Sequence, residues 1–371
     1  MKNNIGRRTI RILSVSLLAV LAACGEPDPI KIGIVVGLTG RSTDLGEASR
    51  NAVQLAAEEI NQSGGINGRQ ISLIALDDEG KPEAAAAAVR TAHAEGVIAI
   101  IGPNLSSTAA GMLPEINKFR IPTISPTASS LDLVDIDDYL FRINHSTRDI
   151  ARIYASQYYN RGIRRVAAAI DANNRVFSES WLQQFNNAFQ SYGPVEVQSF
   201  PFDANTEEGY AGTARKLLRD RPDAILLVAN SVDTAQITQQ VRKSDTETLV
   251  IVAEWAASER LLQLGGKAIE GIEMVQSYNR NDTSERYLTF KKGYIERFQR
   301  DPGYSSVAAY DAAILLFAAL AKDDDPAALK DGLIDLPTID GLQQPLKFNK
   351  YGDAKRRAFF VTVRDGNFVQ P

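Results

Sequence analysis

Hydroxyl side chains follow two short apolar stretches of the chain. Residues 98–101 are followed by Ser106-Ser107-Thr108, and residues 122–124 are followed by Thr127-Ala128-Ser129-Ser130. In an open α/β sheet, ligands bind beyond the carboxyl ends of the strands. Hydroxyl groups beside free helix N–H groups at that edge favour a small anion such as a carboxylate. The pattern predicts either a socket for the acid end of a small molecule or ordinary helix N-caps.

The elements that position these hydroxyl groups alternate between strand and helix. Residues 31–38 are a predicted buried strand of β-branched residues, and a helix follows over about residues 46–61. The same alternation starts again near Asn144. Alternation of this kind predicts parallel sheets with right-handed crossovers. We therefore expect an α/β fold of two Rossmann-like lobes with a cleft between them.

The C-terminal part of the sequence predicts a hinge. Helices are expected at 284–300 and 306–320, and strands at 341–348 and 359–363. A tail that adds helices to one lobe and strands to the other requires three crossovers between the lobes, and such a hinge permits closure around a ligand. The expected division is 1–23 signal peptide, 24–29 tether, 30–144 plus 276–345 lobe 1, and 145–275 plus 346–371 lobe 2.

The N-terminus has the features of an export signal. Four cations within residues 2–11 precede an apolar run at 12–20 that is short for a membrane span. The following Leu21-Ala22-Ala23-Cys24 resembles a bacterial lipobox, and Cys24 is the only cysteine. We expect acylation of Cys24, with an uncleaved anchor as the alternative. This predicts a lipoprotein held on the periplasmic or extracellular face of the membrane.

Composition and charge exclude several classes of protein. The chain has 371 residues, of which 44% are hydrophobic and 23% charged, as in ordinary globular proteins. Residues 1–23 carry four positive and no negative charges, so their removal changes the formal charge from −4 to −8. A negative body argues against nucleic acid as a partner. The longest later apolar run, 308–321, is interrupted by Tyr310-Asp311 and is shorter than a membrane span.

An ordered set of motifs covers nearly all of residues 30–371. The set is GLTG (37–40), INQSGGINGR (60–69), LDDEGKPEAA (76–85), IIGPNLSST (100–108), IPTISPTAS (121–129), AAYDAA (308–313) and GLQQPLKFNKYGD (341–353). With these motifs the chain resembles the type I periplasmic binding proteins of the branched-chain amino acid group. These are substrate-binding components of ABC importers. The resemblance implies binding of an amino acid or related small carboxylate by hinge closure, with permease and ATPase subunits as partners.

The resemblance also implies particular site residues. Ser106, Thr127 and Ser129 stand where the family holds the α-carboxylate of its ligand, and Glu254 where it holds the amine. Phe177 and Leu45 stand at positions where tyrosines are common in the family, so the pocket is expected to be more apolar. For Glu254 the alternative is a solvated loop acid.

Two further residues are expected at the second-lobe wall. Trp255 follows Glu254 directly and is expected to narrow the pocket, while core packing is the alternative for Trp255 and Phe177. Asn230 ends a second-lobe strand and is expected to face the cleft. The ligand is expected to be an aliphatic or aromatic amino acid, or an amine-free acid.

An enzyme and a regulator are the rival classes. The sequence has no Gly-x-Ser-x-Gly, Walker or His-Glu-x-x-His motif, and Ser106 has no visible base. His93 and His145 lack metal-ligand neighbours in the sequence. We therefore expect no enzymatic activity, no cofactor and no metal, in a monomer. The alternative function is a ligand-sensing or cell-wall-regulating lipoprotein of the same fold that binds a protein.

Overall fold

The structure is a computed structural model that describes residues 27–370, so the predicted signal peptide and Cys24 lie outside the described residues. The strands are β1 (Ile30–Val36), β2 (Ile71–Asp77), β3 (Ala99–Ile101), β4 (Thr123–Ser125), β5 (Leu140–Arg142), β6 (Arg165–Asp171), β7 (Glu196–Phe202), β8 (Ala224–Val228), β9 (Leu249–Val252), β10 (Glu273–Gln276), β11 (Ile339–Asp340), β12 (Pro345–Leu346), β13 (Phe359–Arg364) and β14 (Asn367–Val369). The helices are α1 (Thr43–Gln62), α2 (Pro82–Ala94), α3 (Ser106–Phe119), α4 (Thr147–Asn160), α5 (Arg175–Gln190), α6 (Gly209–Leu218), α7 (Ser231–Arg242), α8 (Glu259–Gly265), α9 (Glu285–Phe298), α10 (Tyr304–Lys322) and α11 (Leu329–Ile334).

The first lobe is built on a parallel sheet in the order β2-β1-β3-β4-β5. Ile101 pairs with Ile34 on one side and Ile124 on the other, and Ile124 pairs with Phe141. All four side chains are buried because helices cover both faces of the sheet. This register brings the carboxyl ends of β3 and β4 side by side, and with them the two hydroxyl clusters.

The second lobe is built on a seven-stranded sheet in the order β14-β13-β10-β9-β8-β6-β7. The five strands from β10 to β7 are parallel, and β13 and β14 add an antiparallel edge. The two sheets confirm the predicted α/β fold with two Rossmann-like lobes. A short hairpin of β11 and β12 stands apart from both. The residue boundaries of the lobes given above stay a prediction.

Three passages of chain join the two sheets, after β5, after β10 and before β13. The buried Arg356 ties two of them together, since its Nε donates to the Ile143 carbonyl oxygen at 2.8 Å. Its Nη2 forms a 2.6 Å ion pair with Asp311 of α10. In the remaining passage, Ser277 Oγ donates to Asn144 Oδ1 at 3.0 Å. The passages are therefore cross-linked into one three-crossover hinge.

One helix among residues 27–370 passes the length and hydropathy criteria for a membrane span. It is α10, and 72% of its apolar stretch is buried inside the protein. Its buried Ser305 lies against Ser49 of α1, with the two hydroxyl oxygens 2.6 Å apart. The helix therefore packs inside the first lobe.

Candidate ligand-binding site

Ser106 joins the two hydroxyl-bearing loops of the first lobe. It is the first residue of α3, and the N-cap is Leu105, which has no capping side chain. Ser106 Oγ accepts hydrogen bonds from the backbone N–H groups of Ser129 and Ser130, at 3.2 and 3.1 Å. A hydroxyl group has two acceptor positions and one donor. With both acceptor positions taken, the Ser106 proton is left to donate, so Ser106 is not the N-cap that the capping alternative predicts.

Thr127 and Ser129 offer different hydrogen-bonding groups. Thr127 Oγ1 donates to the Asn104 carbonyl oxygen at 2.7 Å and accepts from Asn104 Nδ2 at 3.1 Å. The Thr127 proton is therefore engaged, and its oxygen has one position left for a donor. Ser129 is held in place through its backbone. Its N–H donates a hydrogen bond to Ser106 Oγ, and its carbonyl oxygen accepts one from Thr147 N at 2.7 Å.

A small cavity of about 20 Å³ lies between the lobes, which is room for about one water molecule. We call it the ligand cavity. It is lined by Asn104, Leu105, Ser106, Thr127, Ser129, Asn144, Asn174, Phe177, Glu254, Trp255 and Tyr304. Six of the eight predicted ligand-binding residues are thus brought together. Any ligand larger than this volume needs movement of the lobes or of the lining side chains.

Leu45 and Asn230 lie outside the ligand cavity. Leu45 is buried within the first turn of α1, because that helix begins at Thr43 and not at residue 46 as predicted. Asn230 is the N-cap of α7, and both ends of its amide bond Asp233. Its side-chain groups are therefore used inside the second lobe, although the residue lines a neighbouring cavity.

Glu254 is the ionisable residue of the second-lobe wall. Its exposed fraction is 8%, so it is not the solvated loop acid of the alternative interpretation. Burial raises the pKa of its carboxyl group to about 7, although a hydrogen bond from Trp181 Nε1 at 2.9 Å opposes the rise. Its Oε1 is buried and has no hydrogen-bond partner among residues 27–370. An unpaired buried carboxylate oxygen is unfavourable, and an ammonium group would relieve it.

Two aromatic rings complete that wall. Phe177 and Trp255 meet edge to face, with centroids 5.6 Å apart and an interplanar angle of 76°. The Trp255 carbonyl oxygen accepts from the Tyr304 hydroxyl at 3.1 Å. Tyr304 belongs to α10 of the first lobe, so this hydrogen bond crosses the cleft. The rings pack against each other and also line the cavity, so the two interpretations, core packing and a place at the pocket, both apply to Phe177 and Trp255.

Four polar residues of the cavity were not predicted, and they are Asn104, Asn144, Asn174 and Tyr304. Asn104 and Asn174 follow the ends of β3 and β6, where a polar residue is a usable signal for a cleft. Tyr304 is about 200 residues from Ser106 in sequence. Nothing near it in the sequence marks it, because α10 brings it to the site only through tertiary packing.

Polar contacts on both sides of the ligand cavity hold the lobes together. Asn174 Oδ1 accepts from Ser107 N at 3.1 Å, and Ser107 Oγ accepts from Val176 N at 3.2 Å. At the rim, Arg41 Nη1 lies 2.7 Å from Asp233 Oδ1 and donates to the Tyr210 hydroxyl at 2.7 Å.

A second rim contact involves Asp44 at the start of α1. Its Oδ2 accepts from Ser231 Oγ at 2.9 Å and from Ser258 Oγ at 2.6 Å, and both serines belong to the second lobe. The structure is therefore that of two lobes closed on one another around the ligand cavity.

Two lobes, a three-crossover hinge and a polar cavity between strand ends define a two-lobed binding protein. The chain belongs to the periplasmic binding protein family, whose model matches residues 29–367. This is a family of binding proteins.

Individual relatives are similar over most of their length. The chain is 22% identical over 335 residues to the Leu/Ile/Val-binding protein of Escherichia coli K12, covering 90% of each chain. A leucine binding protein from Thermotoga maritima superposes with a TM-score of 0.85 at 22% identity, over 92% of this chain and 97% of that one. An ABC transporter solute binding protein from R. palustris in complex with benzoate superposes with a TM-score of 0.81 at 20% identity, over 92% of this chain and 95% of that one.

Proposed function

We propose that this protein is the extracytoplasmic substrate-binding component of an ABC importer and binds an amino acid or a related small carboxylate between its lobes. The single observation that carries the proposal is that a free hydrogen-bond donor and an unpaired acceptor line the same ligand cavity. Ser106 has a hydroxyl proton left to donate, and Glu254 Oε1 is a buried acceptor without a partner among the described residues. An α-amino acid has a carboxylate for the first and an ammonium group for the second.

The ligands of similar proteins support the class of molecule. The relative from E. coli is named for leucine, isoleucine and valine, and the structure from R. palustris holds benzoate. A carboxylate is common to all of these, whereas benzoate lacks an amine. In this chain the unpaired Glu254 oxygen favours a ligand that has an amine.

The anchoring and the partners complete the proposal. Cys24, outside the described residues, is the acylation site in a lipobox-like sequence, and it would hold the protein on the outer face of the cytoplasmic membrane or in the periplasm. The protein acts as a monomer that delivers its ligand to the permease and ATPase subunits.

A thermal-shift panel of amino acids, amides and amine-free aromatic and aliphatic acids tests the proposal. A ligand that binds only the folded protein raises the melting temperature by mass action. At least one carboxylate is expected to raise it by several degrees. If no carboxylate shifts the transition, the transport-receptor function is wrong, and a regulator that binds a protein takes its place.

A further inference from the structure

A second cavity, of about 260 Å³, lies beside the ligand cavity in the same cleft. Leu105, Asn174 and Trp255 line both, so these three residues form a shared wall. Apart from Leu105 and Trp255, every residue that lines the second cavity is polar, charged or glycine. Space next to the ligand cavity is therefore available, and its surroundings are polar.

The shared wall carries two side-chain hydrogen-bond donors without a partner among residues 27–370. Asn174 is buried, and its Oδ1 accepts from the Ser107 N–H at 3.1 Å. That bond fixes the orientation of the amide, because a flipped amide would set its NH2 group against another donor. The Asn174 amide nitrogen is thus turned away from Ser107, and it donates no hydrogen bond to residues 27–370. Trp255 Nε1 is also buried and has no partner in that range.

The space beside the ligand cavity offers room for the ligand's side chain at this wall. A volume of about 20 Å³ cannot take both the backbone groups and a long side chain of an amino acid. With the carboxylate at Ser106 and the ammonium group at Glu254, the side chain has room beyond Leu105, Asn174 and Trp255, in the neighbouring cavity of about 260 Å³. An aliphatic side chain would cover the Asn174 amide nitrogen without offering it an acceptor and would leave the buried Trp255 Nε1 unpaired, which is unfavourable.

We propose that the ligand is an amino acid whose side chain bears an oxygen acceptor, a carboxamide or a carboxylate, bound at the wall formed by Asn174 and Trp255. This inference rests on the proposed function and adds the class of substrate. It separates this protein from relatives named for leucine, isoleucine and valine, whose ligands have no such oxygen.

Calorimetric titration of the wild-type protein with asparagine and leucine tests this directly. The two side chains branch at the same atom, and asparagine has a carbonyl oxygen and an NH2 group where leucine has two methyl groups. Asparagine is expected to bind at least about tenfold more tightly, because only it pairs the donors. Aspartate, titrated in parallel, distinguishes a carboxylate from a carboxamide. Leucine binding as tightly as both oxygen-bearing ligands would overturn the inference and leave the proposed function standing.

Substitution of the two tryptophans supplies a matched pair of variants. Trp255→Phe keeps an aromatic ring beside Phe177 but removes the donor, so the preference for asparagine over leucine is expected to fall roughly three- to tenfold. Trp181→Phe makes the same change at a residue that donates to Glu254. Trp181→Phe is expected to weaken the binding of every amino acid by the same factor and to leave the preference for asparagine over leucine unchanged. An unchanged preference in folded Trp255→Phe protein contradicts the inference, and no binding of any carboxylate by the wild type removes the proposed function with it.

Discussion

Trp181 Nε1 donates a 2.9 Å hydrogen bond to Oε2 of Glu254, and it does so from inside the second lobe. Trp181 is fully buried and stacks on Phe185, with ring centroids 5.5 Å apart. This contact holds one carboxylate oxygen in place, while the other, Oε1, remains unpaired among the described residues. Glu254 is therefore held in position through Oε2, and Oε1 is available to a ligand.

Replacing Glu254 tests the role of that oxygen. Glu254→Gln keeps the shape of the side chain and removes its charge. The affinity for an amino acid is expected to fall about 10- to 100-fold, since a hydrogen bond to a charged group is worth about 1.5–3 kcal/mol. Titration calorimetry measures it. Glu179→Gln on the exposed face of α5 is the control. Binding by Glu254→Gln at wild-type strength would show that Glu254 does not bind the amine of the ligand.

The raised pKa of Glu254 predicts a pH dependence of binding. An ammonium group pairs with the ionised carboxylate, and the carboxyl is protonated below its pKa of about 7. Affinity for an amino acid should therefore fall by about tenfold per pH unit below pH 7 and level off above it. Titrations from pH 5 to 8.5 measure this. The Glu254→Gln variant should show a much flatter profile, and an equally steep profile in that variant would exclude Glu254 as the titrating group.

The raised pKa of Glu254 also predicts how the stability of the ligand-free protein depends on pH. The folded-state pKa of Glu254 lies above its ordinary value of 4.5, so the folded protein holds a proton that the unfolded chain loses between pH 4.5 and 7. Glu254 therefore stabilises the folded state at low pH, and this contribution of about 3 kcal/mol is lost progressively as pH rises from 4.5 through 7. Urea unfolding at pH 5 and 8 measures it. Asp78, Asp138 and Asp171 also have raised pKa values, so the difference between wild type and Glu254→Gln isolates the effect.

Ser106 should affect both binding and stability. Ser106→Ala removes the donor for the carboxylate and leaves the N–H groups of Ser129 and Ser130 without their acceptor. We expect affinity to fall about 10- to 100-fold and the free energy of unfolding to fall by about 1–3 kcal/mol. Titration and urea unfolding check the two effects. Ser191→Ala on the surface should change neither, and unaltered affinity in Ser106→Ala would remove Ser106 from the site.

Arg41 should stabilise the closed arrangement of the two lobes. Its guanidinium crosses the cleft to the buried Asp233, and opening of the lobes would break that contact. Arg41→Ala is expected to weaken ligand binding roughly three- to tenfold, mainly through faster dissociation. The effect is modest because the Arg41 side chain is partly exposed to solvent. Stopped-flow dissociation rates measure it.

The control for Arg41 lies within one lobe. Arg90 forms a 2.8 Å ion pair with Glu115, and both belong to first-lobe helices. Arg90→Ala should leave dissociation unchanged. Equal rates for the wild type and Arg41→Ala would show that the rim contact does not contribute to closure.

The sequence predicted the part of the site that depends on strand order. Ser106 and Thr127 follow adjacent parallel strands, so their proximity follows from the βαβ pattern alone. Leu45, which the family resemblance places at the pocket, lies in the first turn of α1 outside the ligand cavity, and its contact with a ligand stays a prediction. Asn230 was placed at a strand end correctly, but its amide caps α7. Tyr304 and the orientation of Asn174 depend on packing between distant segments, which periodicity does not encode.

In the proposed binding mode, the cleft holds the carboxylate and the ammonium group of one molecule at once. Titration of the wild-type protein at pH 8 with an amino acid that it binds, and with the same molecule lacking the amine, tests it most directly. Loss of the amine is expected to weaken binding by about 100-fold or more, because Oε1 of Glu254 is left unpaired. Equal affinity for the two molecules would contradict it.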